Sequence, residues 1–88
     1  MFTGIIQGTG TVLSIVKKQS IHTLQLELPN TTHLKTGASV SIDGVCLTAV
    51  TIQDSVVDFD VISETLARTT LGQLTAGQHV NVERSLKF

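Results

Sequence analysis

No tryptophan and no tyrosine occur in these 88 residues, and only three phenylalanines. Any core built here is therefore aliphatic. A single cysteine, Cys46, excludes an internal disulfide and fits a reducing compartment. Charge of one sign is also missing: the formal net charge is −1 and the pI near 6.2, which argues against nucleic acid as the main partner. No apolar run approaches the roughly 18 residues of a membrane span. The start, MFTGIIQG, lacks the basic residues of a signal peptide, so none is expected. At 41% hydrophobic and a mean hydropathy of +0.29, the chain is not disordered. Its length fits one domain.

What is present is organised around residues 38–52, ASVSIDGVCLTAVTI. Two β-branched runs flank Asp43-Gly44. Asp-Gly in this position predicts a tight hairpin, because Gly tolerates the positive φ of a two-residue turn. The turn sets Ile42 against Val45, Ser41 against Cys46, Val40 against Leu47 and Ser39 against Thr48. Side chains alternate along a strand. One face is therefore oily: Val40, Ile42, Val45, Leu47. The other carries Ser39, Ser41, Cys46 and Thr48, small groups that leave room for a ligand and can orient its polar atoms, or that simply face solvent.

Elsewhere, TVLSIV (11–16) predicts a strand after the glycines at 4, 8 and 10, and Lys17-Lys18-Gln19-Ser20 a turn. In IHTLQLEL (21–28), Leu24, Leu26 and Leu28 alternate with Thr23, Gln25 and Glu27, the pattern of a half-buried antiparallel strand. Pro29-Asn30 ends it. Residues 31–37 are expected to be a loop with one helical turn. Gln53-Asp54 predicts the next turn, and 55–62 a strand with Val57, Phe59 and Val61 on one side. Residues 63–69 are the one credible helix, with Ser63 as its cap and Glu64 at the positive end of its dipole. Thr70-Leu71-Gly72-Gln73 resembles a short capping box, and 79–86 is the last strand. Leu34-x-x-Gly37-x-x-Val40-x-Ile42 recurs as Leu74-x-x-Gly77-x-x-Val80-x-Val82. This fits two related corners of one barrel. Short strands with one short helix predict a small closed antiparallel barrel, with a ligand at its mouth.

Few residues stand out for chemistry. Cys46 reads as a nucleophile or, more ordinarily, as a small buried hydrophobe, since no cation neighbours it in sequence. His22, His33 and His79 lack metal-ligand spacing, so no metal is expected. Asp58 and Asp60 share a strand face, as an acid/base pair or as solvated carboxylates on a sheet edge. Where strand 55–62 meets helix 63–69, free backbone N–H groups could bind a flat heterocycle beside the Ser39/Cys46/Thr48 face.

Four segments, MFTGIIQGTG, TGASVSIDGVCLTAV, FDVISETLARTTLG and GQHVNVERSLKF, resemble in order the N-terminal barrel of the riboflavin synthase family. The similarity covers essentially the whole chain. Its specific motifs are MFTGI and G-x-C-L-T followed by E-T-L-x-x-T. The resemblance implies an all-β fold: a six-stranded antiparallel Greek-key barrel with one short helix, residues 1–88 forming a single lumazine- or riboflavin-binding domain. In that family two barrels stand in tandem, the chains form trimers in the cytoplasm, and two molecules of 6,7-dimethyl-8-ribityllumazine become riboflavin and a ribitylaminopyrimidinedione without a cofactor. The resemblance places ligand contacts at Gly4, Ile5 and Ile6; at Ser39, Cys46, Leu47 and Thr48; and at Asp60, Val61, Ile62, Ser63, Glu64 and Thr65. Phe2 and Cys46 fall on catalytic positions. The family's Gly-Gly-His segment and second barrel lie beyond Lys87-Phe88 and are not in this sequence. From a lone barrel, ligand binding with negligible turnover is expected, and a homodimer touching around Gly4 to Ile6. The alternative is a non-catalytic carrier like the related lumazine proteins.

Overall fold

Alternation along the strands builds the wall of the molecule. The computed structural model describes residues 8–84. Its elements are β1 (Gly8–Lys17), β2 (Ile21–Glu27), β3 (Ser39–Ile42), β4 (Val45–Gln53), β5 (Val56–Ile62), α1 (Ser63–Arg68), a 3-10 turn (Thr70–Gln73) and β6 (His79–Arg84). The strands close in the order β1-β2-β5-β4-β3-β6, every pair antiparallel. β3, β4 and β5 are consecutive and β2 returns beside β5, which is Greek-key connectivity. Closure gives every strand a neighbour on both sides over at least part of its length.

Inward positions fill the barrel. Leu24, Leu26, Val40, Ile42, Val57 and Phe59 are fully buried, with Val12, Val61, Leu71, Val80 and Val82 nearly so. Phe59 is the largest of them, so the core is not purely aliphatic as expected but built around one aromatic ring. The interior is thus packed side chain, and the surface open to a ligand is the outer wall rather than a cavity inside.

The Asp43-Gly44 hairpin has the expected register, Ser39 to Thr48 through Ile42 to Val45. Both turn residues have positive φ, 49° and 84°, as the primed hairpin turn requires. Asp43 also ties the turn to β6: its carboxylate accepts from the Asn81 N–H at 2.7 Å, and its own N–H donates to the Asn81 carbonyl at 2.9 Å.

The two repeated corners match in backbone geometry and hydrogen bonding. Gly37 and Gly77 have φ of 90° and 93°. Gly37 N–H donates to Ala49 O and Gly77 N–H to Val12 O, at 2.8 and 2.7 Å. Ala49 N–H returns to Ala38 O and Val12 N–H to Gln78 O, at 2.9 and 2.8 Å. Each ladder then carries a bulge, between Val12 and Ser14 and between Ala49 and Thr51. A pseudo-two-fold therefore relates β1, β2 and β6 to β4, β5 and β3.

Several expectations need correction. β1 includes Gly8 and Gly10 rather than following them, because the two glycines let it lie close on Pro29 and the end of β2: a Cβ on Gly10 would meet the Glu27 carbonyl oxygen at 2.8 Å. Residues 31–37 form turns without a helical turn. The β4–β5 turn falls on Asp54-Ser55, one residue later than expected, with Asp54 at φ 55°. Ser63 does not cap α1. Ile62 holds the cap position and no side chain caps the helix, while the Ser63 N–H donates to Ser20 O at 2.9 Å. Thr69, not Thr70, caps the 3-10 turn, accepting from Leu71 N–H at 3.2 Å.

Candidate functional site

The β4–β5 ladder stops at the Ala49–Phe59 pair. Beyond it β4 continues through Thr48, Leu47 and Cys46, paired only with β3, while β5 continues through Asp60, Val61 and Ile62, paired only with β2. Two strand edges thus face each other with unpaired backbone. Backbone groups left open in this way need a partner, from water or from a ligand. α1 starts at the end of the gap, and the Glu64 and Thr65 N–H groups in its first turn have no intrahelical acceptor.

Alternation decides what borders the gap. On one bank stand Ser39 and Thr48, directly paired, with exposed Cys46 next to Ser41. On the other stand Asp60 and Ile62; the Ile62 side chain is 54% exposed. Ser63 and Glu64 are exposed and Thr65 half-buried. Glu64 pairs with Arg68 one helical turn on, at 3.2 Å.

Cys46 is exposed, so it is not the small buried hydrophobe that a lone strand cysteine usually is. Leu47 and Val61 are buried in the core, at 5% and 1% exposure, so only their backbone can reach the gap. Phe2, Gly4, Ile5 and Ile6 lie outside the described residues. Asp58 lies inside the ladder between β4 and β2 while Asp60 borders the gap, and the two do not act as a pair. Thr51 donates to Asp58 from the β4 side and Thr23 to Asp60 from the β2 side, both at 2.7 Å. Among the described residues no group of three or more His, Cys, Asp or Glu is placed to hold a metal ion. Nor is any helix long and apolar enough to cross a membrane.

Two residues escaped the sequence reading. Thr23 meets Asp60 across the β2–β5 pairing, which joins positions 37 apart in the chain. Glu83, buried at 8%, stands opposite Ser41 on β6. The outward phase of each was legible, but its neighbour depended on strand order.

The family model for the lumazine-binding domain matches residues 3–85. The chain belongs to the lumazine-binding domain family. Riboflavin synthase of Escherichia coli (strain K12) is 49% identical over 90 residues, covering 100% of this chain but 42% of its relative. The blue fluorescence protein of Aliivibrio fischeri is 41% identical over 106 residues, covering 100% of this chain and 52% of that one. This lumazine-binding domain thus spans less than half the length of the synthase. Solved structures of LumP, complexed with 6,7-dimethyl-8-(1'-D-ribityl) lumazine and with riboflavin, superpose at a TM-score of 0.90 and 26% identity. They cover 96% of this chain and 49% and 47% of theirs.

Proposed function

We propose that this domain binds 6,7-dimethyl-8-ribityllumazine and riboflavin in the β4–β5 gap, as the N-terminal barrel of a cytoplasmic riboflavin synthase. The observation that carries this is the gap itself. It offers unpaired backbone on two facing strands, hydroxyls on one bank and a carboxylate on the other. A flat pyrimidinedione presents carbonyl and N–H edges to the backbone, and a polyol chain presents hydroxyls to the side chains. The 49% identity to the Escherichia coli synthase, against 41% to the blue fluorescence protein, supports the enzyme lineage over a carrier. Cys46 is the catalytic candidate within the gap, with Phe2 outside the described residues; no resident cofactor or metal takes part.

The reaction of this family needs two substrates held face to face. Such positioning supplies on the order of 7–11 kcal/mol in well-oriented cases, and one barrel holds one ligand. The isolated chain therefore binds without appreciable turnover, and pairs as a homodimer that covers the gap with a second copy. The test is a riboflavin titration followed by flavin fluorescence, undisturbed because the chain has no tryptophan. Saturation by tens of micromolar ligand, about 6–7 kcal/mol, is expected. No binding there overturns the assignment. Sedimentation at the same concentrations reads the homodimer, and a monomer excludes it.

A further inference from the structure

We propose that the Leu47 side chain is a wedge: its first carbon keeps β4 from zipping onto β5 and so holds the gap open. Zipping is what the other half of the barrel does. By the pseudo-two-fold, Val12–Leu26 corresponds to Ala49–Phe59, Thr11 to Thr48, Glu27 to Asp60 and Gly10 to Leu47. The Val12 N–H turns away to Gln78 O, so the Thr11 N–H faces β2, and the ladder gains the Thr11–Glu27 pair. The Ala49 N–H turns away to Ala38 O in the same manner, so the Thr48 N–H faces β5, yet no Thr48–Asp60 pair forms.

One carbon separates the two cases. Where β1 closes on β2, a Cβ on Gly10 would lie 2.8 Å from the Glu27 carbonyl oxygen, inside van der Waals contact. Such close approach of two backbones is open to glycine alone. Leu47 carries that carbon, and the oxygen it would meet is the Asp60 carbonyl, which is backbone and cannot swing aside. Val45, in the place of Gly8, is a weaker obstacle. A Cβ on Gly8 would meet the Pro29 ring at 2.9 Å. The counterpart of Pro29 is Ile62, whose exposed side chain can rotate away. The rest of the Leu47 side chain points into the core, so it acts on the gap through the backbone and not by touching a ligand. The rival cause of the gap is the anchor at the end of β5, where the Ser63 N–H donates to Ser20 O and ties β5 to the β1–β2 turn. The wedge stands on strand geometry; only its consequence for flavin rests on the flavin-binding reading above.

Leu47→Ala and Leu47→Gly test the wedge, because both empty the same part of the core and only Gly removes the first carbon. Amide hydrogen exchange, followed by NMR, reads the Thr48 N–H against the Ala49 N–H. The Ala49 bond to Ala38 O is common to the open and closed gap, so a general loss of stability cancels in the ratio. Leu47→Gly should slow Thr48 relative to Ala49 by about tenfold, one backbone hydrogen bond gained. Leu47→Ala should leave the ratio as it is in the unsubstituted chain. The added backbone freedom of glycine works against this result, since it speeds exchange. Riboflavin should bind Leu47→Gly about tenfold more weakly than Leu47→Ala, in proportion to the open fraction. Gly10→Ala is the reciprocal variant and removes nothing from the core: Thr11 should exchange about tenfold faster relative to Val12 as its pair opens. Equal Thr48 ratios in the Ala and Gly variants overturn the wedge and leave the gap to the Ser63–Ser20 anchor. Should Leu47→Gly not fold, an unmoved Thr11 ratio in Gly10→Ala overturns it instead. Shifted ratios, with no riboflavin bound by the unsubstituted chain, uphold the wedge and overturn the flavin reading.

Discussion

The two halves of the barrel share a corner, a bulge and a core, yet only one keeps an open gap. In the β4–β5 half, pairing ends at Ala49–Phe59. In the β1–β2 half the equivalent pair is Val12–Leu26, and the ladder runs one pair further, to Thr11–Glu27. The glycines explain the difference. Gly8 and Gly10 occupy the places held by Val45 and Leu47 in the other half. Without side chains they let β1 settle against Pro29 and the Glu27 carbonyl. On the far side Thr11 bonds His79 at 3.3 Å, where the open half has Thr48 beside Ser39. Glu27 stands in the place of Asp60, but Val56 faces it where Thr23 faces Asp60. Repetition builds the barrel, and the candidate site lies where repetition is broken.

The strongest test of the shared core is Phe59→Ala against Leu26→Ala, at equivalent and fully buried positions. Both should destabilise severely, by about 3–5 and 2–5 kcal/mol. Urea unfolding measures this, and one half tolerating its truncation would show that the halves do not share a core. Gly10→Ala comes next. The added methyl meets a backbone oxygen that cannot swing aside, so a loss of about 1–3 kcal/mol is expected, without change in riboflavin affinity, since the closed half is remote from the gap.

Thr48→Val and Thr11→Val then separate the gap from its closed counterpart. Removing one hydroxyl contact is worth about 0.5–1.5 kcal/mol. Thr48→Val should therefore weaken riboflavin by up to about tenfold and Thr11→Val should leave it unchanged; equal effects in a titration would contradict the placement. The smallest effect belongs to Val56→Thr, which offers Glu27 the hydroxyl that Thr23 gives Asp60. Stability should move by no more than about 0.5 kcal/mol, as for surface changes generally. No second ligand per chain should appear in a titration, because backbone closure, not the missing hydroxyl, shuts that half.

Much of this architecture was legible along the chain. The alternation of 21–28, the Asp43-Gly44 turn and the repeated Leu-x-x-Gly corner are local signals, and each became the structure expected of it. Ser39, Cys46 and Thr48 share one outer face because the turn alone sets their register. Errors fell where a local signal competes with tertiary contact. Ser63 reads as a cap, but the Ser20 carbonyl takes its N–H. Asp58 and Asp60 read as an acid/base pair or as solvated carboxylates on a sheet edge, but the strand order places a threonine from a different strand against each.

The residues by themselves determined which side of each strand is oily, because side-chain phase follows from a period of two. They also determined where the chain reverses, because Gly, and Asp beside it, accept positive φ. What only the tertiary structure decided is which strand stands next to which, and so where a ladder ends. β2 meets β5 across the intervening residues 28–55, and no local period encodes that neighbour. The gap beyond Ala49–Phe59, and the meeting of Thr23 with Asp60, exist only once the barrel has closed.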